Sequence, residues 1–232
     1  MPRSPSRRKP ANNPGASPPK DRQTRPARGV AQGRDARSAA TRAAIIDAAL
    51  DEFAARGFAA ARLDDIARRA KVAKGTIYVH FRDKESLFEE LVRSALGPLL
   101  RSMEALPRAE LSLRALAEQL VDLFVRDVLQ ARRKHVVRLI ISEGPRFPAL
   151  AQIYYREVIK RALPIIRGAA ERAVARGEVR SDALNRFPQL LVAPGILAIV
   201  WDMLFASYEP LDAAGIMRAQ LELIFGAVES GP

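Results

Sequence analysis

Apolar residues recur along most of this chain at the three- and four-residue spacing of an α-helix, and no window alternates with period two over a convincing length. The expected fold is therefore all-α. Ile45, Ile46, Ala49, Leu50 and Phe53 share one stripe, and Gly57 follows where a helix would stop. Leu63, Ile66, Ala67 and Ala70 make a short second helix, and Thr76 to Phe81 a third with Ile77 and Phe81 inward. Asp83 can cap a fourth through Leu87, Leu91 and Val92, with Lys84 and Glu85 in its first turn. Helical spacing resumes at Leu113, Leu116, Leu120, Leu123, Phe124 and Val128, then near Lys134 to Glu143. After the Gly144-Pro145 break a long helix is expected from about Pro148 to Arg176, kinked at Pro164 and ended by Gly177.

Pro188 to Ala206 is apolar almost all round, yet it does not read as a membrane span. Gln189 and Asp202 bracket twelve uninterrupted non-polar residues, fewer than the roughly 18 to 20 needed, and Pro194-Gly195 lies in the middle. A helix without a polar face must be covered on both sides. Its own core can cover one side, which leaves the other for a second chain. A final amphipathic helix, about Ala213 to Val228, joins it, and Leu191, Gly195, Leu197, Ile216, Leu221 and Ile224 are the expected homodimer interface.

Charge divides the chain more sharply than hydropathy does. Of 232 residues, 38 are Lys or Arg and 26 Asp or Glu, a net charge of +12. Residues 1–37 hold ten basic and two acidic residues and seven of the sixteen prolines, with almost no large apolar side chain. Such a segment cannot bury enough surface to offset the ordering of its backbone, so it reads as a disordered basic tail. It lacks the apolar core of a signal peptide. Residues 38–84 carry nine basic and six acidic residues, and residues 85–232 are nearly neutral. A polyanion site is therefore expected before about residue 85, and a different task after it. The chain has no cysteine, which removes disulfides and thiolate metal sites and suits a reducing cytoplasm. With two histidines, His80 and His135, no metal or cofactor is expected. No phosphate-binding glycine loop or nucleophile motif is present, and enzymatic function is not expected.

The three short helices, with a tight turn at Lys71-Val72, form a helix-turn-helix arrangement. Ala67 and Ala70 are small where two helices cross, and Ile66, Val72 and Ile77 supply the apolar wedge that sets their angle. The third helix then offers a short polar face, Lys74, Gly75, Thr76, Tyr78 and His80, of a size that fits a DNA major groove.

These residues carry a resemblance. Gly57-Phe58, the run Leu63 to Ala67, Val72 to Phe81 and Asp83 to Phe88 resemble, in order, spacing and side-chain type, the N-terminal domain of the TetR family of bacterial transcriptional regulators. Ile141 to Leu150 is similar to a stretch found in some efflux-linked members. The resemblance implies that Lys74, Thr76, Tyr78 and His80 face DNA, with Lys74 and Tyr78 on phosphates and Thr76 at a base edge. Gly75 would let the helix N-terminus approach the backbone, and Lys84 and Arg42 would add phosphate contacts. Helix N-termini favour anions, which supports Lys74 and Lys84 independently. Three departures matter. Lys71 stands where the family usually has glycine, in a turn expected to need a left-handed backbone. Ala61 and Arg62 replace a hydroxyl cap, and Arg62 can restore a phosphate contact but not the cap. Val79 replaces a frequent aromatic or histidine, which moves base reading toward a thymine methyl.

The neutral remainder suits an effector pocket between helices. Its expected wall is Leu120, Phe124, Tyr154, Val158, Trp201 and Phe205, with His135 and Arg138, three apart on one helix face, able to orient an acidic molecule. The expected function is a cytoplasmic, homodimeric TetR-type repressor that binds double-stranded DNA and is released by a small, mainly apolar effector. A ligand-independent regulator or activator, and a non-specific basic architectural protein, stay open at this point.

Overall fold

A computed structural model describes residues 28–105, 112–129, 132–179 and 181–226, with side chains from Arg34 onward. The described residues are helical and include no strand. Two compact units are distinguished, residues 1–38 and 39–232. In the first, the described residues belong to the opening turns of a helix, with Arg34 to Ser38 exposed.

That helix, α1, runs Arg28–Ala60. Residues 28–37 are therefore helical, which corrects the expectation that the disordered tail reaches residue 37; the rest of that tail lies outside the described residues. Ala31, Gln32, Arg34, Ala36 and Arg37 form helix readily, and extending a helix already nucleated adds a hydrogen bond per residue without needing apolar burial. Gly57 breaks the helical path with φ 73° and ψ 169°, where the sequence places a stop.

Next come α2 (Leu63–Arg69) and α3 (Lys74–His80). At the end of α2 the Lys71 N–H donates to Arg68 and the Val72 N–H to Ala67, at 3.2 and 3.0 Å, with Lys71 at φ 57°. This is the left-handed helix stop that glycine normally fills, as the sequence predicts. The same pair of bonds closes the helix ending at Ala175, where Gly177 takes the left-handed position at φ 72°.

α4 (Lys84–Ala105) begins on a reciprocal cap: the Ser86 N–H donates to Asp83 Oδ1 at 2.7 Å and the Asp83 N–H to Ser86 Oγ at 3.1 Å. Leu87, Phe88, Leu91 and Val92 of α4 share one core with Ile45, Phe53, Ile66 and Ile77, so the apolar core continues past residue 84. Phe58 ties that core onward. Its ring meets Phe53 at 5.4 Å, Phe88 at 6.0 Å and Phe147 at 5.3 Å.

The remaining helices are α5 (Leu113–Phe124), α6 (Lys134–Glu143), α7 (Pro148–Tyr154), α8 (Lys160–Ala175), the single turn α9 (Ala183–Arg186), α10 (Gln189–Leu204) and α11 (Ala213–Phe225). π-helical turns extend α5 over Val125–Leu129 and join α7 to α8 over Tyr155–Ile159. Pro164 lies inside α8 just after the second of these turns, where a proline without an N–H leaves the ladder free to change register. No described helix is long and apolar enough to cross a membrane.

One face of α10 enters the core through Leu191, Pro194, Gly195, Ala198 and Ile199. Its outer face carries Leu190, Leu197 and Leu204, all exposed, with Val192 and Ile196 less exposed at its flank. The expected interface residues divide accordingly. Leu197 is exposed, whereas Leu191, Gly195 and Leu221 are buried in the chain's own core, and Ile216 and Ile224 are half-buried against it. A helix apolar all round announces that both faces are covered but not which face meets what.

Candidate functional site

Two features stand out: the exposed face of α3 and an apolar cavity between the later helices.

The helix-turn-helix is held by ion pairs as well as by its core. Glu52, only 2 % exposed, lies between Arg56 of α1 at 3.0 Å and Arg69 of α2 at 3.3 Å. A buried carboxylate needs such partners, and here they fasten the two helices. Asp64 and Asp65 in the first turn of α2, with Arg68 and Arg69 in its last, complement the helix dipole.

On this frame Ile77 and Phe81 point inward, as expected, while Lys74, Gly75, Tyr78 and Val79 are exposed, and Thr76 and His80 half-buried. Nothing lies within 4 Å of where a Gly75 β-carbon would be, so the N-terminal turn of α3 is open to close approach. Val79 is 82 % exposed, an apolar side chain with no part in the core. The Lys74 ammonium donates to Asp64 Oδ2 at 2.7 Å, and that bond holds its pKa above the ordinary lysine range. A phosphate contact by Lys74 therefore competes with a standing partner. Arg62 is exposed at the start of α2 and supplies no side-chain cap.

Two other expected phosphate ligands also have standing internal partners. Lys84 Nζ donates to the Phe58 and Ala59 carbonyls, at 2.8 and 3.1 Å, and lies 4.8 Å from the centre of the Phe58 ring. Arg42 pairs with Glu90 of α4 at 2.5 Å and covers the Phe81 ring at 5.4 Å. Both residues fasten α4 to the end or the side of α1. Sequence spacing places a cation near a helix terminus but does not reveal a competing acceptor brought there by folding.

The cavity, about 180 Å3, lies among α4, α5, α6, α7, α8, α10 and α11 and both π-helical turns. Leu120, Phe124, Tyr154 and Val158 of the expected set line it, joined by Leu191 and Gly195. Met103, Leu99, Leu163 and Ile196 also line it, plain aliphatic positions that no sequence pattern separates from ordinary core. A β-carbon on Gly195 would lie 2.7 Å from Phe124 Cε1, so the glycine lets that ring approach α10 closely. Burial pushes the Tyr154 phenol up to about 12.

Four expected effector residues lie elsewhere. Trp201 packs against Phe205 at 5.1 Å and donates Nε1–H to the Glu209 carbonyl at 2.7 Å, which fastens the chain just beyond α10. Trp201 follows Gly195 and Ile196 by six and five residues, which at 3.6 residues per turn turns it away from the cavity. Arg138 is paired with Asp202, which Lys134 also reaches at 3.1 Å, so these groups bind α6 to α10. His135 is half-buried beside them. Burial, then the charges of Arg138, Lys134 and Arg132, lower its pKa.

Among the described residues no cluster of His, Cys, Asp or Glu could hold a metal.

Known proteins are similar to this chain in sequence and fold. The SrpR regulator of Pseudomonas putida is 31 % identical over 60 % of this chain and 63 % of its own. AcrR of Shigella flexneri is 28 % identical over 72 % of this chain and 79 % of its own. FadR of Bacillus subtilis, solved in complex with stearoyl-CoA, superposes with a TM-score of 0.64 at 23 % identity, over 80 % of this chain and 98 % of that one. The fold, the exposed short helix and these relatives define a helix-turn-helix, DNA-binding transcriptional regulator. Residues 45–91 match the family of bacterial regulatory proteins named for tetR, and residues 107–219 the tetracyclin repressor-like C-terminal domain. The chain belongs to the TetR family.

Proposed function

We propose that this regulator is a cytoplasmic repressor that binds a pseudo-palindromic operator as a homodimer and lets go when a small, mainly apolar molecule occupies the cavity. The observation that carries the DNA-reading part is the face of α3, where Lys74, Gly75, Tyr78 and Val79 stand clear of the core around an open helix start. Two copies of α3 reading successive major grooves must lie about 34–36 Å apart. The exposed apolar face of α10, continued by Leu223 of α11 at 88 % exposure, supports the dimer. Its cover by a second chain removes an apolar surface that a lone subunit would leave in water.

Release follows from where the cavity lies. Leu96, Leu99, Leu100 and Met103 of α4 form part of its wall, and the first turns of α4 belong to the helix-turn-helix core. A molecule that fits better when α4 is displaced favours that state by its difference in affinity and so changes the separation of the reading helices.

The test is binding to the chain's own upstream DNA against random duplex over a range of salt. A sequence preference is expected, lost on replacing Thr76 and Tyr78 with Ala while the dimer persists. Equal affinity for both duplexes overturns the repressor reading.

A further inference from the structure

Resting on the cavity as the effector site, we infer that it takes an uncharged, largely apolar molecule bearing one hydroxyl or carbonyl oxygen, which hydrogen-bonds to the Tyr154 hydroxyl, and that it rejects carboxylates.

The lining contains no Asp, Glu, Lys, Arg or His; Tyr154 is its one polar side chain. Lys160 beside it is exposed, and three other charged residues of the adjoining turns are paired. Glu157 is held by Arg93 and Arg156, and Arg161 by Glu104. A carboxylate brought into such a wall loses its hydration and finds no cation, whereas a neutral oxygen needs only one partner. Tyr154 can supply that partner. Tyr154 is half-buried at the cavity wall, and its hydroxyl is the one side-chain group there that can donate a hydrogen bond. With the phenol pushed up to about 12 it stays protonated at neutral pH and offers a donor without a charge. A ligand oxygen accepts a hydrogen bond from that hydroxyl, and a hydrocarbon of the same shape offers it no acceptor.

The experiment compares naphthalene, 1-naphthol and 1-naphthoate binding to the full-length chain at neutral pH, by titration calorimetry. 1-Naphthol is expected to bind about 3- to 10-fold tighter than naphthalene, the net worth of one hydrogen bond, and 1-naphthoate more weakly than both. In Tyr154→Phe the advantage of 1-naphthol over naphthalene disappears while naphthalene binds as before. Ala162→Phe, which fills the cavity, abolishes binding of both. Three results overturn the inference: 1-naphthoate binding as tightly as 1-naphthol, an advantage of 1-naphthol that survives in Tyr154→Phe, or no saturable binding of 1-naphthol. The comparison of naphthol with naphthoate uses the unaltered chain, so it stands even if a variant does not fold. Operator release is scored on the same samples. If 1-naphthol binds as expected but leaves the DNA complex intact, the ligand-released repressor fails and the chemistry of the cavity stands.

Discussion

Arg93 of α4 and Glu157 of the π-helical turn beside the cavity, 64 residues apart in sequence, are joined by two hydrogen bonds of 2.8 and 3.2 Å. Val158 and Ile159 of that turn line the cavity, and Arg156 reaches back to Glu89 of α4 at 2.7 Å. The wall of the cavity is thus clasped to the helix that carries Glu90, the partner of Arg42.

The clasp has a pH signature. The hydrogen bond from Arg93, reinforced by Arg156, holds the Glu157 carboxyl down at about 2, below its ordinary 4.5. A depressed carboxyl contributes stability that is full above the unfolded value and lost as pH falls through the folded one. Glu157→Gln is therefore expected to melt at a lower temperature than the parent at neutral pH, with the gap closing between about 4.5 and 2. Thermal melts across pH measure it; a gap independent of pH sinks the assignment.

Lys74 and Lys84 are expected to differ. Lys74→Ala removes an exposed cation from the α3 face and should reduce the slope of log affinity against log salt by about 1, with little change in melting temperature. Lys84→Ala strips its ammonium from the Phe58 and Ala59 carbonyls and should lower the melting temperature first. Salt titrations of DNA binding and thermal melts separate the two roles.

Lys71 holds a left-handed backbone at φ 57° in a helix stop where the equivalent position of the α8 terminus is Gly177. Lys71→Gly should stabilise the chain by about 1 kcal/mol, since glycine takes that conformation without steric cost. Denaturant unfolding gives the value. A loss of stability would mean that the lysine side chain contributes more than its backbone strain costs.

At Gly195 the expected sign is opposite. A methyl group there meets Phe124 at 2.7 Å, and Gly195→Ala should cost about 1–3 kcal/mol as the ring is forced out of its place. Calorimetric melting checks it.

The faces of α10 make a further contrast. Leu197→Glu, on the exposed side, should yield a folded monomer in sedimentation, while Leu191→Glu buries a charge among Leu100, Val121 and Ile166 and should unfold the chain. A dimeric Leu197→Glu would remove α10 from the interface.

Periodicity and punctuation were enough, in the sequence alone, for the all-α fold, the helix-turn-helix, the stops at Gly57 and Gly177, the Asp83 cap and the left-handed turn at Lys71. These are local properties. Each depends on side chains within about one helical turn, so spacing and residue type suffice. Two thirds of the expected cavity wall was legible too, because Leu120 with Phe124 and Tyr154 with Val158 recur four apart on their helices. What only the tertiary structure decided is partnership at long range. Folding brought the carbonyls of Phe58 and Ala59 to Lys84, Glu90 to Arg42 and Asp202 to Arg138, and so gave each of these expected contact residues a partner that braces one helix to another. It also chose which side of α10 is inside, sending Leu191 and Gly195 to the core and Leu197 to the surface. An amino-acid pattern fixes the angle of a residue around its own helix; which neighbour waits at that angle depends on how the helices pack.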